Sequence, residues 1–125
     1  MLLGIDLGAT NIRVGRVHEG AVEALHEAPI DQSEDPNTLI QQMASLIELC
    51  WHPAIRSIGI GVPSVVDVER GIVYDVQNIP SWKEVHLKDI MEAQFSVPTW
   101  VKNDANCFIL GERYYSTIFS AYLGE

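Results

Sequence analysis

The first 30 residues contain three strand-length apolar runs with only short turns between them, and this restricts the fold more than any other feature. Leu2–Leu7 reads as a short buried strand. In Ile12–Val17, Ile12, Val14 and the small Gly15 alternate with Arg13 and Arg16, the pattern of a second strand, and Ala21–Ala28 makes a third. Gly8-Ala9-Thr10-Asn11 and Glu19-Gly20 are turn sequences. Connections this short join antiparallel neighbours, because a parallel pair needs a crossover of a dozen residues or so. The chain therefore opens with an antiparallel three-strand meander.

Past the meander, helix and strand alternate. Asp35 can cap a helix, Pro36 suits its first position, and Leu39, Ile40, Met43, Leu46, Ile47 and Cys50 recur every three or four residues until Trp51-His52-Pro53 stops it. Ile55–Val62 is a buried strand reached through that helix, so it is expected to be central and parallel to a neighbour. Pro63-Ser64 opens a loop, Gly71–Tyr74 suggests a short strand and Asn78–Trp82 an irregular loop. A helix is expected over His86–Phe95, a strand over Val97–Lys102, a third helix over Ala105–Tyr115 and a strand-like run over Ile118–Leu123. The order predicts an α/β fold with a mixed five-stranded sheet and flanking helices. Binding sites in such sheets lie beyond the carboxyl ends of the strands. Asp6 and Asp104 both fall at such ends.

Composition narrows the function classes. Lys and Arg total 8 against 17 Asp and Glu, a net charge of −9. So acidic a chain is disfavoured on phosphate backbones and on anionic membranes, and neither nucleic acid nor membrane is an expected partner. Cys50 and Cys107 lie far apart in apolar helical patterns and read as buried free thiols in a reducing compartment. The N-terminus lacks the basic segment of a signal peptide, and no apolar run approaches a membrane span. A cytoplasmic location is the expectation.

Each chemically interesting segment admits two readings. The turn after Asp6 is either an ordinary hairpin or a phosphate-binding element. In the second case Gly8 allows close backbone approach, Thr10 offers a hydroxyl and an N–H, and Asp6 holds a magnesium ion, directly or through water. Asp104, in Asn103-Asp104-Ala105-Asn106, fits a helix N-cap and equally a general base that takes a proton from an attacking hydroxyl. The glycines of Gly59-Ile60-Gly61-Val62-Pro63-Ser64 either permit close packing or make room for a flat polar ligand. Asn78, in Asn78-Ile79-Pro80-Ser81-Trp82, fits an Asx-turn or the recognition of vicinal hydroxyls. His18, His26, His52 and His86 show no ligand spacing, and Glu19, Glu23, Glu27, Asp31, Glu34 and Asp35 read as a solvated face.

Taken in order, Gly4–Arg13, Gly59–Ser64, Asn78–Trp82 and Asn103–Asn106 with Gly111-Glu112 resemble the N-terminal half of the ROK family, which groups sugar kinases with related repressors. The resemblance implies a lobe of the actin-like ATPase (ribonuclease H-like) fold over residues 1–115, with 116–125 beginning a second lobe. It further implies ATP phosphate contacts at Asp6, Gly8, Thr10 and Asn11, and Asp104 as the base. Ser64, Asn78, Asn103 and Asp104 would bind the sugar. Magnesium-ATP would be the cosubstrate, and the family's zinc-binding cysteine cluster lies beyond this chain. Ala9 and Ser64 stand where the family commonly has glycine, and Asn11 where it commonly has lysine. The expected function is the N-terminal lobe of an ATP-dependent glucose or amino-sugar kinase, inactive by itself and prone to pair as a homodimer. The alternative is a non-catalytic sugar-sensing or regulatory protein; a DNA-binding repressor is not expected, because the chain starts on the first strand.

Overall fold

The computed structural model describes residues 1–8, 10–32, 34–76 and 79–103. Its main sheet contains β1 (Leu2–Leu7), β2 (Asn11–His18), β3 (Ala21–Pro29), β4 (Ser57–Gly61) and β8 (Thr99–Lys102), in the order β3-β2-β1-β4-β8. The meander pairs antiparallel, while β4 and β8 join parallel to β1 and to each other. The mixed five-stranded sheet is thus present, with strands shorter than the apolar runs at Ile55–Val62 and Val97–Lys102. The expected helix over Ala105–Tyr115 and the run Ile118–Leu123 lie outside the described residues, as does Cys107.

Strand alternation sends Leu3, Ile5, Leu7, Ile12, Val14, Ile58, Ile60 and Val101 into one core. Helix α1 (Pro36–Cys50) buries Leu39, Met43, Leu46, Ile47 and Cys50 there. The Asp35 carboxylate accepts from the Asn37 N–H at 2.9 Å, so the cap read from sequence is made. Helix α2 (Leu87–Phe95) adds Leu87 and Met91. Its last residue, Phe95, stacks on Trp51 with ring centroids 5.2 Å apart.

The structure adds a second sheet, of which the sequence announces only the middle strand, expected over Gly71–Tyr74 and found at Ile72–Tyr74. It comprises β5 (Val65–Asp67), β6 (Ile72–Tyr74) and β7 (Glu84–Val85), all antiparallel. β5 and β7, of three and two residues, carry too little alternation to stand out. Two anchors hold this unit. Gly71, at φ +65°, passes its carbonyl to the Lys88 N–H at the start of α2. Trp82 is fully buried and donates its indole N–H to the Pro36 carbonyl at 3.1 Å.

The edge of the meander carries a β-bulge. Register shifts between Val14 and Arg16 as β2 faces β3, and Ala24 sits at φ +52°. The Cys50 thiol donates to the Ala24 carbonyl at 2.9 Å, and Arg16 reaches the Cys50 carbonyl at 3.4 Å. Burial raises the Cys50 pKa above its ordinary 9.0, opposed by the Arg16 charge. The unfolded chain therefore loses this proton before the folded one does. Stability contributed by the neutral thiol is fully present below the ordinary value and declines as the pH rises through it. Denaturant unfolding at about pH 8 and about pH 10 should show the wild type losing more stability than Cys50→Val across that interval. Equal losses would contradict the assignment.

Candidate functional site

Because β1, β4 and β8 are parallel, their carboxyl ends share one edge of the sheet. The β1–β2 turn lies at that edge. Here the Gly8 N–H donates to the Asn11 carbonyl at 2.9 Å, and a Cβ on Gly8 would sit 3.1 Å from that oxygen. Gly8 thus owes its identity to the close approach of the Asn11 carbonyl within its own turn, and not to a positive φ. Thr10 is exposed, and its hydroxyl accepts from the Asn11 side-chain amide at 3.1 Å. The Ile30 N–H donates to the Thr10 carbonyl, which binds the end of β3 to the same turn.

Cross-strand register places Glu27, Arg13, Asp6, Gly61 and Lys102 in one row across all five strands. Asp6 is buried, at 3% exposure. Arg13 and Glu27 stand 3.5 Å apart as a pair. The row behind it runs Gly15, Gly4, Gly59 and Trp100, so backbone alone forms this face over three neighbouring strands. The segment after β4 contributes Ser64, whose hydroxyl oxygen is buried without a hydrogen-bond partner among the described residues. Asn103 comes directly after β8 and is exposed. Asp104 and Asn78 lie outside the described residues. Asn78 belongs to a connection whose described flanks, Val76, Ile79 and Trp82, are buried.

Asp6, Gly8, Thr10, Asn11, Ser64 and Asn103 therefore gather at one edge. Sequence reasoning missed Lys102 and Gly61 as members of the Asp6 row, because register is a property of paired strands. It also missed a cleft of about 410 Å³ lined by Gln32, Glu34, Pro80 and Ser81, where the β3–α1 connection meets the loop before Trp82. The donor set suits magnesium, which takes one or two carboxylates and completes its shell with phosphate oxygens and water. Asp6 would supply the carboxylate, and Gly61 leaves the adjoining position free of side chain. His18, His52 and His86 are exposed and His26 is half-buried; His86 pairs with Glu84 at 3.0 Å.

Comparison with known families supplies the deciding observation: the model of the ROK family matches residues 2–121. The chain belongs to the ROK family. Among curated relatives, a glucokinase of Thermotoga maritima is 29% identical over 116 residues, covering 91% of this chain and 37% of that protein. A xylose repressor of Caldicellulosiruptor bescii is 32% identical over 121 residues, covering 91% of this chain and 30% of the repressor. Among solved structures, a ROK family glucokinase from Streptomyces griseus, in complex with glucose and AMPPNP, superposes with a TM-score of 0.75 at 27% identity. That match covers 85% of this chain and 34% of the other. This ROK chain thus spans about a third of the length of its curated relatives, and its fold is that of a sugar-kinase lobe. Among the described residues, no helix is long and apolar enough to cross a membrane.

Proposed function

We propose that this chain is the N-terminal lobe of an ATP-dependent hexose kinase acting on glucose or an amino sugar. Residues 1–115 form the lobe and 116–125 begin a second one. The observation that carries the reading is the buried Asp6 at the tip of β1, in one row with the end of β8, two residues before Asp104.

Phosphoryl transfer asks a protein mainly for positioning and charge neutralisation, with one group to accept the hydroxyl proton. In this reading Asp104 is that base and takes the proton as the sugar oxygen attacks the γ-phosphate in line. Asn78 and Asn103 orient the sugar through donor and acceptor atoms of their amides. The Ser64 hydroxyl, without a hydrogen-bond partner among the described residues, offers the sugar one more contact. Thr10 and the backbone of the Gly8–Asn11 turn face the nucleotide phosphates, and Asp6 holds magnesium, which when bound offsets charge on the phosphate oxygens. A single lobe cannot close over the reactants or exclude water, so turnover by the isolated chain is expected to be negligible.

A second reading, a sugar sensor without catalysis, draws support from the similarity to a xylose repressor. Calorimetry separates the two. The kinase reading expects the chain to bind both glucose and magnesium-AMPPNP, whereas a sensor binds sugar alone. Robust ADP release by the 125-residue chain with glucose, N-acetylglucosamine, N-acetylmannosamine, mannose or allose would overturn the expectation of an inactive lobe.

A further inference from the structure

We propose that Lys102 is the cationic arm of the phosphate cleft, facing Asp6 across Gly61 and holding an oxygen of the phosphoryl group. This rests on the phosphoryl-transfer reading and adds to it a contact residue from β8. The row Glu27, Arg13, Asp6, Gly61, Lys102 alternates in charge, negative, positive, negative, then a gap, then positive. Glu27 and Arg13 satisfy each other at 3.5 Å. Arg16, Arg70 and Lys88 likewise have carboxylates within 4.0 Å. Lys102 is half-buried and has no ion-pair partner among the described residues.

A lysine whose stem is partly buried and whose ammonium has no counter-charge among the described residues is a ready receptor for an anion. The position between it and Asp6 belongs to Gly61, which presents only backbone. Strands two apart in a sheet are separated by roughly 10 Å. A carboxylate and an ammonium set that far apart in register, with only backbone between them, match a phosphate carried with a divalent cation. Asp6 would hold the cation, and Lys102 would hold phosphate oxygens that the cation leaves free. The acidic balance of the chain makes this local cation the more selective, since generic polyanions are repelled elsewhere.

The test is calorimetric titration of the 125-residue chain with inorganic tripolyphosphate and magnesium at fixed ionic strength, and separately with glucose. Lys102→Gln is expected to weaken tripolyphosphate binding by about 10-fold to 100-fold, the size of a charge-assisted hydrogen bond. Glucose binding should be unchanged, and Lys102→Arg should recover most of the loss. Lys102→Met, which keeps the aliphatic stem, should behave as Lys102→Gln does. Wild-type affinity for tripolyphosphate in both neutral variants would overturn the role of Lys102 and leave the kinase reading standing. A folded wild-type chain that binds no tripolyphosphate would overturn both. A neutral variant that loses glucose and tripolyphosphate binding together would mark Lys102 as merely structural and also overturn the proposal.

Discussion

Gly71→Ala is expected to destabilise the chain by about 3 kcal/mol or more, among the larger effects of a single substitution. The new Cβ would overlap the Lys88 Cβ, and the backbone there sits at φ +65°. Neither problem is relieved by rotating a side-chain tip, because the clash is with the first carbon of Lys88 beside its backbone. The consequence reaches the candidate site through α2. Lys88 donates to the Thr99 carbonyl and the Glu92 carboxylate accepts the Thr99 N–H, so the start of α2 sets the position of β8. β8 in turn carries Lys102 and leads into Asn103. Urea denaturation measures the loss, and a change below about 1 kcal/mol would contradict this account of the turn.

Asp6→Asn is expected to weaken magnesium-AMPPNP binding by about 30-fold or more while leaving glucose affinity near the wild-type value. The magnitude comes from removing the charge of a buried carboxylate that would face a divalent cation. Chelating the divalent ion should shrink the difference between wild type and Asp6→Asn, because the carboxylate then has no metal to hold. Calorimetry with and without EDTA reads both effects. Equal nucleotide affinities in the presence of magnesium would remove Asp6 from the phosphate site.

The parts of the fold that were legible in sequence are those with long periodic signals. The meander stood out because three runs alternate or stay apolar between turn residues, and α1 because its apolar positions come after a proline and a capping aspartate. Of the small β5-β6-β7 sheet only β6 was read, at Gly71–Tyr74; β5 and β7 are too short for a period, and Gly71 and Trp82 fix the sheet through tertiary contacts. The bulge at Ala24 was equally hidden, since it answers to the Cys50 thiol from a distant helix.

The candidate site divides in the same way. A carboxylate at a strand tip and a glycine turn are local features, so Asp6 and Gly8 could be singled out as candidates from sequence. The neighbours of Asp6 across the sheet were not, because Lys102 and Gly61 lie in other strands and meet it only through register. The resemblance to ROK proteins gave residue roles, but not the charge row in which Asp6 stands.

The most direct test is to map amide chemical-shift changes in the isotopically labelled chain on adding magnesium-AMPPNP and then glucose. The account predicts that the nucleotide shifts Gly8, Thr10, Gly61 and Lys102, and that glucose shifts Ser64 and Asn103 at the same edge. Changes centred instead on Trp51 and Phe95, at the carboxyl ends of the two helices, would contradict it.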